Sequence, residues 1–179
     1  SKDAGSEQKL DLAPAGDALN SQAEDITFNN DGTKLFAISD DGAMNIHTLS
    51  TPYDISSGVT LVADDGINWR TYKEPWGSSN TTMLPQPIRF NTDGTKMYLT
   101  EAVINTTDPQ ESVGVVQYNL ATPFVPSSTT TVQVLNLRAQ FPKTNIAIHA
   151  MNFDDDGTRM YVSAGNFLLK TDHPHAVYE

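Results

Sequence analysis

Few side chains in this 179-residue chain have the type and spacing to do chemistry. There are four histidines, His47, His149, His173 and His175, and no His-Glu-x-x-His or comparable zinc spacing. His173 and His175 would share one face of a strand and could offer two imidazoles to a metal, but they bring no third ligand. Asp40-Asp41 and Asp64-Asp65 resemble acid–base pairs, yet neighbours on a strand point to opposite faces, so they read as turn residues. No Gly-x-Ser-x-Gly elbow and no phosphate-cradling glycine loop occurs. With no cysteine, thiolate catalysis, cysteine-ligated zinc and disulfides are excluded. The expectation is no catalytic residue, no metal site and no cofactor, with weak surface calcium at Asp154, Asp155 and Asp156 left open.

Binding chemistry is concentrated in INWRTYKEPWGSSNTTMLPQP, residues 67–87, which holds both tryptophans. Aromatic and cationic side chains in one loop are the residue types that dominate interaction hot spots, or that stack on sugars. Trp69, Arg70, Tyr72, Lys73 and Trp76 are therefore the candidate binding residues. The alternative is a loop that folds Trp69 and Trp76 back over the edge of the domain. Asn80-Thr81-Thr82 and Asn105-Thr106-Thr107 are acceptor-type tripeptides for N-glycosylation, which matter only in a eukaryotic source.

The elements that would position these residues come from a repeat. FNNDGTKLF from Phe28 returns as FNTDGTKMY from Phe90 and as FDDDGTRMY from Phe153, 62 and then 63 residues on. Each copy reads strand, turn, strand: Ile26 and Phe28 alternate with polar residues, and Leu35 to Ile38 form a second apolar run. Ile88 and Phe90 precede Met97 to Leu99 in the same way, and Met151 and Phe153 precede Met160 to Val162. Asp-Gly between two such runs is a strong hairpin signal, because glycine takes a positive φ without a Cβ penalty. Asp31-Gly32, Asp93-Gly94 and Asp156-Gly157 are thus structural turns. A calcium loop would need a bidentate glutamate further on, where strand-forming residues stand instead.

A second motif follows the first two hairpins. LSTPYDISS, residues 49–57, matches LATPFVPSS, residues 120–128, with a strand before each (AMNIHTL, GVVQYNL) and another after (VTLVADDG, TVQVLNL). TEAVINTTDPQES, residues 100–112, reads as a polar surface loop that lengthens the second copy. Four meandering strands per unit of about sixty residues suit a propeller blade. The expected fold is all-β and β-propeller-like, about three four-stranded blades in one domain over residues 1–179. The units lie near 24–66, 86–137 and 149–179, with residues 1–20 as a closing strand. Val177 aligns with Val115 and Met44, which places the last residues in the third strand of the third unit. Three blades are few for a ring, so completion is expected by strand closure between Leu10–Ala13 and Val177, by a second chain, or by a missing continuation.

The pattern F-x-x-D-G-T-[KR]-[LM]-[FY] followed by L-[SA]-T-P-[YF] resembles the repeat of a group of largely uncharacterised β-propeller proteins from bacteria and their phages. It is more distantly similar to the hairpin of lactonase-like and TolB-like propellers. The resemblance covers residues 24–179 and implies a propeller, a frame that carries hydrolases, lectins, scaffolds and receptors alike. A lactonase-like enzyme would need acidic or histidine ligands converging from several blades, where these strands offer mainly Ile, Phe and Met. His47 stands for Tyr118, Val125-Pro126 for Asp54-Ile55, and the third copy has no STP-type motif, which argues against an identical ligand site in every blade.

Charge narrows the partners. Eleven basic against twenty-two acidic residues give a net charge of −11, with the basic ones scattered, so nucleic acid is not an expected ligand. No apolar stretch approaches a membrane span, so no membrane insertion is expected. The chain starts at Ser1 rather than Met, and export with signal cleavage is one route to such a start. The functional expectation is a non-catalytic interaction or structural module, extracellular, periplasmic or on a virion surface, with a protein or glycan partner and with self-association or membership of a larger propeller. The alternatives are a propeller enzyme, lactonase-like or glycan-processing, and a lectin.

Overall fold

A computed structural model describes residues 10, 12, 23–39, 42–57, 59–64, 67, 69, 82–104, 113–137, 139–140, 146–154, 157–166 and 176–178. These residues form an all-β chain of three small antiparallel sheets. The first sheet contains β1 (Ala23–Phe28), β2 (Lys34–Ser39), β3 (Met44–Leu49) and β4 (Val59–Asp64), paired in chain order. The second contains β5 (Thr82–Phe90), β6 (Lys96–Ile104), β7 (Val113–Leu120) and β8 (Thr129–Asn136), again in order. In the third, β10 (Met160–Asn166) lies between β9 (Ile146–Phe153) and β11 (Ala176–Tyr178). Among the described residues no helix is long and apolar enough to cross a membrane.

The repeat is visible in the register. Met44, Val115 and Val177 stand opposite Ile38, Thr100 and Ser163, which are themselves equivalent positions of the three copies. Pairing is therefore set by the same alternation in each unit, since a slip of one residue would turn every apolar side chain to the wrong face.

Two expected loops turn out to be partly strand. Residues 82–87 of the aromatic stretch belong to β5, and Thr100–Ile104 of the expected surface loop belong to β6. These two extensions pair with each other, Thr82 with Ile104 and Leu84 with Ala102. Pro85 and Pro87 are tolerated because β5 is an end strand of its sheet and the register shifts between Pro85 and Ile88. β-Branched Thr100, Val103 and Ile104 suit the strand, and Thr100 is buried. Asp64, expected in a turn, is the last residue of β4.

The sheets stack through opposite faces. Phe36, Ile38 and Met44 of the first sheet pack against Ile88, Met97, Leu99, Val116 and Tyr118 of the second. Val115 and Tyr98, on the other face of the second sheet, pack against Ile148, Met151 and Val162 of the third. The opening strands lie side by side, β5 against both β1 and β9. Aromatic contacts step along the stack in a repeating way: Phe36 meets Phe90 and Tyr98 meets Phe153, each pair with ring centroids 4.6 Å apart. An ion pair joins the first two units, with Arg89 Nη1 2.6 Å from Asp25 Oδ2, and the same oxygen accepts the Ile88 N–H at 2.9 Å.

The remaining face of the first sheet carries Leu35, Ala37, Asn45, His47 and Leu49, all buried. Asn45 Nδ2 donates to the Leu12 carbonyl oxygen at 2.8 Å, so Leu12 lies against β3. The expected pairing of Leu10–Ala13 with the strand at Val177 is not made by the described residues: β11 pairs with β10, and Leu12 is held at the far end of the stack. Asn45 and His47 occupy the positions of Val116 and Tyr118: Asn45 meets the Leu12 carbonyl oxygen, whereas Val116 and Tyr118 meet the first sheet.

Candidate functional site

The repeated turns are built alike from their own side chains. Asp31 Oδ1 accepts from the Thr33 N–H at 3.0 Å and from the Thr33 hydroxyl at 2.6 Å. Asn29 Oδ1 accepts the Lys34 N–H at 2.8 Å. Asp93, Thr95, Asn91 and Lys96 repeat this network in the second unit with nearly the same distances. Hydrogen bonds from Thr33 and Thr95 hold the Asp31 and Asp93 carboxyls below the ordinary carboxylate range. In the third unit Asp154 takes the place of Asn29 and Asn91: its Oδ1 accepts the Arg159 N–H at 2.9 Å and its Oδ2 the Thr158 hydroxyl at 3.3 Å. The Asp154 carboxylate is thus engaged in closing its own turn. Asp155 and Asp156, its partners in the suggested calcium site, lie outside the described residues.

Gly32, Gly94 and Gly157 have φ of 70°, 71° and 70°. In the first two units the TP-aromatic turn docks onto the glycine. The Tyr53 N–H donates to the Gly32 carbonyl oxygen and the Phe124 N–H to that of Gly94, both at 2.9 Å. Each ring then lies flat over the glycine, where an added Cβ would come within 2.4 Å of Tyr53 or 2.3 Å of Phe124. Tyr53 and Phe124 themselves have φ of 61° and 55°, a left-handed backbone that costs each about 1–2 kcal/mol and that the docked ring and hydrogen bonds offset. Ser57 and Ser128 close the motif, each hydroxyl accepting from the Thr51 or Thr122 N–H and donating to the carbonyl oxygen of Asp54 or Val125 at 2.7 Å. The two sequence motifs are therefore halves of one structural device.

Stacking three hairpins in register brings their turns to one end of the molecule. A cleft of about 940 Å³ opens there, lined by Asn30 of the first turn, Asn91, Thr92 and Asp93 of the second, and Asp154 and Gly157 of the third. Its floor consists of the partly exposed rings of Phe28, Phe90, Phe153, Tyr98 and Phe124. Arg89 and Lys96 supply positive charge at its wall. Burial, and then the negative charge of Asp93, keep the Tyr98 phenol above its usual value, so it presents a neutral hydroxyl. Rings, amides, carboxylates and two cations together suit the binding of a polar, partly apolar ligand.

Of the binding residues expected from sequence, Trp69 alone is among the described residues. Trp69 is fully buried, its ring edge-on to that of Tyr118 with centroids 5.1 Å apart, and its backbone N–H donates to the Gly42 carbonyl oxygen at 2.8 Å. Its ring belongs to the core between the first two sheets and is not presented to a ligand. Arg70, Tyr72, Lys73 and Trp76 lie outside the described residues, as do Asp40, Asp41, Asp65, His173 and His175. His47 is buried in the first sheet and His149 is exposed on the third. Among the described residues no three His, Asp or Glu side chains come together as a metal set. The cleft was missed because each turn, taken singly, reads as structural. The signal that would find it is the common period, which obliges equivalent turns to share one end. No known family model matches the chain, and no curated protein matches it.

Proposed function

We propose that the chain is a non-catalytic protein-interaction module of the β-propeller type, acting outside the cell, in the periplasm or on a virion surface. The observation that carries this reading is the convergence of all three repeated turns on one cleft of about 940 Å³. The propeller reading is supported by β1, β5 and β9 lying side by side, and by opposite faces of successive sheets packing in the same sense. Sheets of this kind leave a large surface of loops and turns, and binding function is commonly placed there. A glycan-binding role is the second reading, favoured by partly exposed Phe28 and Phe153 beside Asn30 and Asn152 in the cleft.

Two assays on the full chain separate these readings. Titration calorimetry against a panel of neutral and acidic oligosaccharides should give no saturable heat if the partner is a protein. Incubation with lactone and glycoside substrates should give no turnover above buffer. Turnover that disappears when Tyr98 or Asp93 is replaced would make the cleft an active site and end the non-catalytic reading.

A further inference from the structure

The seam between the first two sheets is closed by a carboxylate. Asp25 Oδ2 accepts the Ile88 N–H at 2.9 Å and a guanidinium hydrogen of Arg89 at 2.6 Å, so one group satisfies an outward-pointing amide of β5 and the side-chain donor beside it. The seam between the second and third sheets keeps the donors and lacks the acceptor. Met151 stands in the place of Ile88 and Asn152 in that of Arg89, counted back from the repeat phenylalanine. Pro87 stands in the place of Asp25 and offers no side-chain oxygen. The Asp154 N–H bonds to the Arg159 carbonyl oxygen, which fixes the alternation of the β9–β10 ladder and turns the Met151 N–H away from β10. Met151 is 1% exposed, and among the described residues nothing accepts that N–H. A buried amide is almost always paired, so an acceptor is due here.

Other donors converge on the same place. Arg89 Nη1 is engaged by Asp25 and by the Ile88 carbonyl oxygen, whereas Nε and Nη2 have no partner among the described residues. The Asn152 amide is exposed and has none either. Arg89, Met151 and Asn152 line a cavity of about 270 Å³ whose walls include Ala150 and Val162, and no acidic side chain among the described residues lines it. We propose that this seam is a binding site for a small carboxylate-bearing ligand, whose carboxylate takes the place that Asp25 fills in the first seam. One oxygen accepts the Met151 N–H, as Asp25 accepts that of Ile88, and the Arg89 guanidinium supplies the charge. Ala150 and Val162 suit a short hydrocarbon body behind the carboxylate. The site shares Arg89 and Asn152 with the turn cleft and uses none of the turn glycines or their rings.

The probe is sodium propanoate, titrated at neutral pH and constant ionic strength into the isotope-labelled full chain, with the Met151 amide followed by two-dimensional NMR and sodium chloride as the baseline. A saturable downfield shift of that amide is expected. Pro87→Asp should abolish it, because the new side chain occupies the seam as Asp25 does. Asn152→Leu, at an exposed position, should weaken binding about tenfold by removing a donor. The two variants are independent, so Asn152→Leu decides the matter if Pro87→Asp does not fold. No saturable shift at about 100 mM propanoate, or a shift undiminished in either folded variant, overturns the site. Inorganic phosphate that moves the same amide at lower concentration than propanoate overturns the carboxylate assignment in favour of a phosphate.

Discussion

The second and third turns share the sequence Asp-Gly-Thr and the same glycine backbone, φ 71° and 70°, yet one glycine is buried under a ring and the other is exposed. Gly94 is held by two independent requirements, a left-handed φ and the absence of a Cβ under Phe124. At Gly157 the described structure imposes only the first. Identical sequence is not identical environment, and the two glycines should respond differently to the same substitution.

The largest effect is expected for Gly94→Val, which combines left-handed strain with a side chain driven into Phe124, for a loss of about 3–4 kcal/mol. Gly157→Val should lose only the strain, about 1–2 kcal/mol. Urea unfolding of both variants checks the gap, and equal losses would mean that the ring over Gly94 contributes nothing. Phe124→Ala should cost about 2 kcal/mol from the lost ring, with Phe124→Gly recovering about 1 kcal/mol because φ of 55° no longer strains a Cβ. If glycine is no better than alanine there, the backbone strain is not real. Asp25→Ala should cost about 1–2 kcal/mol, since it leaves the Ile88 N–H without its acceptor and Arg89 without its counter-ion at a half-buried seam between units. A thermal melt unchanged by this substitution would show that the packed rings alone join the first two sheets.

The smallest expected effect is in acid. Asp31 and Asp93 have carboxyls depressed below the ordinary Asp value by hydrogen bonds from Thr33 and Thr95. A depressed folded-state pKa adds stability that is complete above the unfolded-state value and is lost as pH falls through the folded one. Melting temperature should therefore lose this contribution below the ordinary Asp pKa of 3.8, and Asp31→Asn with Asp93→Asn should flatten that acid limb. An acid limb identical in the double variant would show that the turn carboxylates do not couple to folding.

Much of the local structure was legible because it is written in short-range patterns. Asp-Gly between alternating runs places a hairpin, and the equivalence of Met44, Val115 and Val177 foreshadows the register of the third strands. Pro85 and Pro87 hid the start of β5, since proline argues against a strand until its place at a sheet edge and a register shift is known. Trp69 was open between a binding residue and a ring folded back over the domain, because no local pattern tells where a single ring will fall, and the structure buries it. The chain by itself determined three hairpins, their turn glycines and the two aromatic turns that follow, all set by backbone sterics and alternation within a few residues. Only the tertiary structure decided that Tyr53 and Phe124 cap glycines about twenty to thirty positions earlier. The same holds for Leu12 covering Asn45, and for three separate turns enclosing one cleft. Those outcomes depend on which faces meet when sheets stack, and the energy of that meeting belongs to residues far apart in the chain.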